Sequence, residues 1–464
     1  MQLRDLLERT TTHALDFLEG LDERRVAPPA SVAELRKALG GPLPEDSVEP
    51  ERVVDELVRS VEPGLLASGG GRFFGWVIGG TLPAALAADW LTSAWDQNAA
   101  IVATSPAAAV VEEVCGAWVK DVLGLPAQAS FALVTGTQMA HVTALAAARH
   151  WLLARRGWDV ERRGSAGSPP VCVIASELRH ASLERAVRLL GIGTDAISAV
   201  ATEPSGAIRL DALAAALDQT SDAPTIVGLQ AGELSSGAFD PFADACALAR
   251  ERGAWTHVDG AFGLWAAASP RLRHLLAGVD QADSWVTDGH KWLNTPFDLG
   301  FAVVAHPEAH RAAMTARGAT YFAYDDVGRD QMDWNPEWSR RARGFAAYAA
   351  LRSLGRRGLA ELVDASASCA RRLVQCLGGL PDVEVLVEPT INQGLVRFLA
   401  RDGGHDRRTD AVIGHVQASG EAWFGGTSWR GQRAMRISVC SWRTTDDDVE
   451  RTVEAVKAAL AETP

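Results

Sequence analysis

The chain has no run of about 18 apolar residues, the length a membrane-spanning helix needs, so no transmembrane segment is expected. It has no CxxC pair. Its six cysteines, Cys115, Cys172, Cys246, Cys369, Cys376 and Cys440, are scattered, which argues against a zinc or thioredoxin-like signature. Buried thiols in a reducing compartment, the cytoplasm, are the expectation. The opening MQLRDLLERTTTHALDFLEG lacks the continuous apolar stretch of a secretory leader. Leu3, Leu6, Leu7, Ala14, Leu15 and Leu18 instead recur at helical spacing, as in an amphipathic helix. Basic residues are in deficit, 45 Lys+Arg against 58 Asp+Glu for a net charge of −13. That balance disfavours nucleic acid or an anionic membrane as the main partner. There is no internal repeat and no low-complexity tract.

At 464 residues, 47% of them apolar, the chain is a globular protein too long for one ordinary compact domain. Residues 1–80 read as an arm of helices interrupted at Pro28-Pro29 and Gly40-Gly41-Pro42, leading into SGGGRFFGWVIGGTLP. Such an arm has little chance of a core of its own and is expected to pack on another domain or subunit. Within 81–345, from about residue 130, short apolar runs alternate with amphipathic helical stretches. The runs are 131–136, 171–176, 197–202, 225–232, 254–262, 283–289 and 299–305. Alternation of this kind predicts an α/β domain with a mostly parallel sheet covered on both faces. Ligands in such sheets bind beyond the carboxyl ends of the strands. The remainder, 346–464, reads as a smaller α+β domain. It has a helical stretch over 358–377, strands at 383–387, 395–400 and 435–439, and a last helix over 445–462 with Asp446, Asp447 and Asp448 in its first turn.

Polar residues at the strand ends are the candidates for chemistry. Lys291, in DGHKWLNTPFDLG, follows a strand and is flanked by His290 and Trp292. A lysine in a partly apolar pocket can have a lowered pKa and form an imine with an aldehyde cofactor. Asp259 ends the apolar strand of AWTHVDGAFGLW. It suits either a turn cap or the partner of a pyridinium nitrogen, which a buried carboxylate keeps protonated. His180 in SELRHAS either starts a helix or stacks on a cofactor ring. VTGTQMAH is a strand, a glycine turn and a helix start, so Gly136, Thr137 and Gln138 could present N–H groups to a phosphate. Arg436 and Arg443 are either carboxylate clamps or ion pairs of the small domain. Most of the 15 tryptophans are assigned to packing.

The order VTGTQ, SELRHAS, AFDPFADACALARERGAWTHVDGAFG and DGHKW resembles the group II pyridoxal-phosphate decarboxylases, which include aromatic amino acid, histidine and glutamate decarboxylases. The resemblance runs from GRFFGWVIGGTLP through MRISV, with tight motifs only in the sheet region. It implies fold type I, meaning an N-terminal arm, a large seven-stranded domain, a small C-terminal domain and an obligate homodimer with a shared active site. It implies pyridoxal 5′-phosphate as cofactor and an amino acid as substrate. It also implies Lys291 as the Schiff-base lysine, Asp259 as the pyridine partner and His180 as the stacking histidine. Ala261 would lie under the ring, and Thr137, Gln138 and His290 would hold the phosphate with Asp288 nearby. Attack at Cα follows, by default decarboxylation. An aldehyde-forming decarboxylase, an aldol-type lyase or transaldolase, a transaminase and an inactive binding scaffold are the alternatives.

Three departures stand against that pattern. The family's mobile loop carries a tyrosine that protonates the carbanion; Trp334 in DWNPEWSRR falls at or near its place, and an indole has no acidic hydroxyl. Tyr321 or Tyr324 could substitute. Glu233, in QAGELSSGAFD, stands where a small or neutral residue is usual, and would either contact substrate or point away. In the family the segment corresponding to WDQNAAIV reaches the substrate pocket from the partner subunit, usually with apolar or aromatic residues, and Asp96, Gln97 and Asn98 would make that wall polar.

Overall fold

The structure is a computed structural model that describes residues 3–220, 222–315 and 328–463. The backbone divides into two compact units. One comprises residues up to Ile78, Cys369–Val387 and the chain from Gly394; the other comprises Gly79–Ser368 and Glu388–Gln393. Tyr321 and Tyr324 lie outside the described residues.

In the first unit three helices come first, α1 (Leu3–Glu19), α2 (Val32–Leu39) and α3 (Pro50–Val61). Ser31 caps α2 through a capping box with Glu34, and Pro50 opens α3, where its missing N–H costs nothing. None of the three buries a residue. Leu3, Leu7, Leu15, Val53 and Leu57 are all exposed.

The second unit opens with α4 (Pro83–Trp95) and α5 (Pro106–Leu123). Strands and helices then alternate: β1 (Ser130–Val134), α6 (Thr137–Ala154), the single turn α7 (Val160–Arg163), β2 (Cys172–Ser176), α8 (Ala181–Leu189), β3 (Ile197–Val200), α9 (Leu210–Gln219), β4 (Thr225–Gln230), α10 (Phe242–Glu251), β5 (Trp255–Asp259), β6 (Ser284–Asp288), β7 (Gly300–Val304) and α11 (Pro307–Met314). The seven strands form one sheet in the order β1-β7-β6-β5-β4-β2-β3. Only β7 runs against its neighbours. Strands covered on both faces read as unbroken apolar runs, and β1, β4, β6 and β7 are buried along their whole length. This is the mixed, mostly parallel seven-stranded sheet the sequence predicts.

The long helix α12 (Gly344–Gly378) is interrupted at Gly355, whose φ of 60° and ψ of −175° is not helical. The division between the units falls within α12. The first unit then adds β8 (Val383–Val387), β9 (Gln393–Phe398), α13 (His405–Ser419), β10 (Gly425–Trp429), β11 (Gln432–Ser438) and α14 (Asp446–Glu462). Its four-stranded sheet has the order β10-β11-β9-β8. Phe74, Phe398, Phe424 and Met435 sit in its core. β10 and α13 are both absent from the sequence reading of this region; the residues of β10, GGTSW, carry almost no apolar signal. No described helix is long and apolar enough to cross a membrane.

Two features hold β1 in place. The guanidinium of Arg340, wholly buried, reaches Glu112 Oε1 at 2.7 Å, Ala99 O at 2.6 Å and Leu133 O at 2.6 Å. Three acceptors converge on one guanidinium, which offsets part of the cost of burying the pair, although Glu112 Oε2 and Arg340 Nε have no hydrogen-bond partner among the described residues. At the other end, β7 begins at Gly300, and a Cβ there would stand 2.5 Å from the Cα of Gly136. Gly300→Ala should therefore lower stability by about 1–3 kcal/mol, read as a reduced denaturation midpoint with an unchanged m-value. A midpoint equal to that of the unaltered protein would show that the two turns can part without cost.

Candidate functional site

The sheet brings the carboxyl ends of β1, β5 and β6 to one edge. β5 and β6 are parallel neighbours, with His257 opposite Ser284 and Asp259 opposite Val286. Asp259 and Asp288 therefore end adjacent strands. Lys291 follows in the turn after β6, and Gly136 in the turn after β1.

Asp288 is the point where these turns meet. Its Oδ1 accepts the backbone N–H of Thr137 at 2.6 Å, and its Oδ2 lies 3.0 Å from Lys291 Nζ. Its own N–H donates to Ala261 O at 2.8 Å, and its carbonyl accepts the indole N–H of Trp265 at 2.9 Å. His290 Nε2 stands 3.7 Å from the same carboxylate, while His290 Nδ1 accepts the N–H of Leu299 at 3.1 Å. Burial chiefly, helped by the charge of Lys291, pushes the His290 imidazole below its ordinary pKa. The Lys291 side chain is 22% exposed, so its amine sits at the mouth of the site rather than in the core. Its turn is braced from behind. A Cβ on Gly79 would meet Lys291 O at 2.0 Å. Asn294 Oδ1 accepts the N–H of Gly80 at 2.8 Å, and Asn294 O accepts that of Leu82 at 2.8 Å.

Helix α6 begins at this edge. Its N-cap is Gly136, which has no side chain to satisfy the first N–H groups. Asp288 takes that of Thr137, and Thr137 Oγ1 is buried without a partner among the described residues. An uncapped helix N-terminus with an orphaned hydroxyl is suited to an anionic group such as a phosphate.

Asp259 is 12% exposed at its side chain. Burial alone would raise its pKa; the contact with His141 outweighs burial, with help from the charges of Lys291 and His180, and holds the carboxyl well below the usual range. His141 Nε2 lies 3.3 Å from Asp259 Oδ2. Behind it, His141 Nδ1 is 2.8 Å from His257 Nε2, and His257 Nδ1 is 2.8 Å from Ser284 Oγ. Both imidazoles are fully buried. Burial and the neighbouring His141 push His257 down to about 3. Neither histidine stands out in the sequence reading. The available signal was positional, because His257 lies two residues before Asp259 on one strand and so on the same face of the sheet.

The other expected residues are placed as follows. His180 is the N-cap of α8, with Nδ1 accepting the N–H of Ser182 at 3.2 Å. Gln138 Nε2 donates to Ser182 O at 3.2 Å, which links the starts of α6 and α8. Ala261 N donates to Asp259 Oδ1 at 3.2 Å. Glu233 is buried, and its Oε2 accepts Ser235 N at 2.9 Å, Ser236 N at 2.7 Å and Ser236 Oγ at 2.9 Å. That oxygen closes its own turn. Asn98 Oδ1 accepts the N–H of Arg340 at 3.0 Å. Trp334 packs against His310 and lies under the guanidinium of Arg329, 4.5 Å from its ring centroid. Its carbonyl accepts from His310 Nε2 at 2.9 Å, so its contacts are away from the Lys291 cluster. In the first unit, Arg443 Nη1 is 3.7 Å from Asp22, an ion-pair arrangement.

The pyridoxal-dependent decarboxylase conserved domain matches residues 34–401. Among curated proteins, the chain is 28% identical to tryptophan decarboxylase 1 of Oryza sativa subsp. japonica, over 99% of this chain and 94% of that one. It is 26% identical to 4-hydroxyphenylacetaldehyde synthase of Rhodiola rosea, over 91% and 89%. Among solved structures, Oryza sativa TDC with PLP and tryptamine superposes with a TM-score of 0.93 at 24% identity, covering 99% of this chain and 98% of that one.

The low pKa of His257 has a consequence for stability. Between its ordinary value of 6.5 and about 3, the unfolded chain holds a proton on this ring and the folded one does not. Stability therefore rises with pH across that window and is lost as pH falls through it, by about 1.4 kcal/mol per pH unit at most. His257→Gln should flatten that limb in denaturant titrations at pH 4–6.5. An unchanged slope would mean that the folded protein carries the proton.

Proposed function

Since the chain belongs to the pyridoxal-dependent decarboxylase family, with pyridoxal 5′-phosphate as its cofactor and amino-acid decarboxylation as its activity, we propose that the cluster around Asp288 is its active site and that Lys291 carries the cofactor. When bound, the cofactor supplies an electron sink for the pair released as the Cα–carboxylate bond breaks. The residues present fit it. The uncapped start of α6, with Thr137 Oγ1 and the N–H of Gln138, suits the phosphate. His290 closes the same corner.

The observation that carries this reading is the pairing of two differently placed anions at adjacent strand ends. Asp288, 3.0 Å from Lys291 Nζ, orients the amine. Asp259, held as a carboxylate in a buried position, keeps a ring nitrogen protonated by charge pairing. His180, at the N-cap of α8, would cover the ring face opposite Ala261. Asn98, contributed by a second copy, and Glu233, through its other oxygen, would line the walls where the substrate side chain is selected. The exposed apolar faces of α1 and α3 support a homodimer in which the arm of residues 1–80 covers a second copy and the active site draws on both chains. Residues 81–345 would then form the cofactor domain and 346–464 the small domain. Scattered free cysteines, three of them fully buried, suit the cytoplasm. The acidic net charge speaks against nucleic acid or anionic membrane as partner.

Borohydride reduction followed by peptide mapping should place the cofactor on Lys291. Asp259→Asn should retain that attachment yet lose at least a hundredfold in kcat, because an amide cannot hold the ring nitrogen protonated. Label on another lysine, or near-normal turnover in the variant, would overturn the assignment.

A second reading concerns the outcome after bond cleavage. Trp334 falls at or near the place of the family's proton-donating tyrosine in the sequence, and one relative is named as an aldehyde synthase. On this reading the product is an aldehyde formed with oxygen, and Tyr321 or Tyr324 does not serve as the acid. Mass analysis of products from a panel of amino acids, with and without oxygen, separates the two. Amine without oxygen uptake supports simple decarboxylation, and aldehyde that disappears under anaerobic conditions supports the second reading.

A further inference from the structure

We propose that His257 and Ser284 form a buried positioning relay that fixes the tautomer of His141, so that His141 presents a single N–H to the carboxylate of Asp259. The inference rests on the reading of Asp259 as partner of the cofactor's ring nitrogen, and deepens it by naming what holds that carboxylate in its charged form.

The hydrogen positions follow from which groups can only donate. Trp255 Nε1 is a donor with no lone pair to offer, and it lies 2.9 Å from Ser284 Oγ. Ser284 therefore receives that N–H and still has its own hydroxyl proton to place. Among the described residues the one acceptor for it is His257 Nδ1, at 2.8 Å. His257 is neutral in its buried position, so its remaining hydrogen is on Nε2. That N–H points to His141 Nδ1 at 2.8 Å. With Nδ1 accepting, the hydrogen that His141 carries is on Nε2, facing Asp259 Oδ2 at 3.3 Å. That nitrogen is buried and makes no hydrogen bond of normal geometry among the described residues. The contact is long and imperfectly aligned, so it acts chiefly through charge and dipole.

Every donor in the row Trp255, Ser284, His257, His141 points toward Asp259. The reverse order leaves the hydroxyl proton of Ser284 buried without an acceptor and turns a lone pair of His141 onto a carboxylate. The parts come from three elements. Trp255 and His257 are alternate residues of β5, Ser284 begins β6 directly opposite His257, and His141 lies one turn into α6. Lys291 and His180 also act on Asp259 by charge, from the solvent side. The relay acts from the protein side, through four side chains that are fully buried.

The test uses the cofactor-loaded enzyme labelled with 15N-histidine. Side-chain 15N spectra should show His141 and His257 both neutral and both protonated at Nε2 between pH 6 and 8. A cationic His141, or either ring protonated at Nδ1 alone, overturns the relay whatever the rates are. Kinetics then test its role. Ser284→Ala removes the hydroxyl that orders His257, and should lower kcat about tenfold or more with KM within about twofold, on the scale usual for groups that orient a functional histidine. His257→Leu should do the same. His257→Gln should recover most of the loss, because its amide N–H can still donate to His141 Nδ1. If His257→Leu does not fold, Ser284→Ala and His257→Gln decide. Unchanged kcat in Ser284→Ala with the tautomer of His257 scrambled would overturn the positioning role. Near-normal turnover in Asp259→Asn would defeat the reading of Asp259 instead, while the spectra still judge the relay separately.

Discussion

A carboxylate placed at the end of a central strand takes up a proton unless its surroundings stabilise the charge, and the site depends on how Asp259 avoids that. Burial works against its ionisation, and the company of His141, Lys291 and His180 reverses the balance. The supports come from opposite directions. Lys291 belongs to the turn after β6 and His180 to the start of α8, while His141 approaches through α6 from within the protein. A fully solvated aspartate would be charged without help, but water would then compete for any ring nitrogen it faced. A buried and supported one keeps its charge and directs it. The register that sets His257 against Ser284 is therefore part of the site even though neither residue reaches its surface.

Asp288 does a different task with the same functional group. Its two oxygens divide between the N–H of Thr137 and the amine of Lys291. The start of α6 and the lysine turn cannot move independently, because one carboxylate ties both. The close approach of Gly300 to Gly136 has the same effect through sterics. β1 and β6 run parallel, with β7 antiparallel between them, so the turns after β1 and β6 lie at one edge with Gly300, the start of β7, packed against Gly136. The phosphate corner and the lysine thus follow from one topological feature.

The sheet was legible because most of its strands are covered on both faces. β5 and β6 read as apolar runs that end in a polar residue, Asp259 and Asp288, and Lys291 follows in the turn after β6. Legibility failed where that pattern lapses. β10 is GGTSW, half-exposed and without apolar residues until its last position. The first turns of α12, ahead of the break at Gly355, offer no cap that would mark a start at Gly344. His141 and His257 were invisible for another reason. A histidine inside an apolar element looks like a packing residue until the register shows what it faces, and that register joins residues 116 positions apart. The resemblance to group II decarboxylases points to the residues that would touch the cofactor, and it has nothing to say about what stands behind them.

The departures from the family pattern divide by the same criterion, namely which atoms remain uncommitted. Glu233 has an oxygen that accepts three donors from its own turn. A carboxylate oxygen so engaged is costly to redirect, since each donor would lose its partner in a buried place. Its influence on a substrate is therefore confined to its other oxygen and to the long-range effect of its charge. Trp334 is similarly committed, its ring between His310 and Arg329 and its carbonyl on His310. It fixes the end of the segment that carries Arg340 into the buried pair with Glu112. Lys291 differs from both. Among the described residues its amine has one close anionic partner, Asp288, and it keeps some exposure. An amine held by a single charged contact can be oriented by it and still be displaced. A lysine fixed by several buried acceptors, as Lys120 is by Ala127 O and Ala129 O, cannot be released so cheaply. Of these two lysines, the one suited to covalent exchange is the one whose surroundings let go of it.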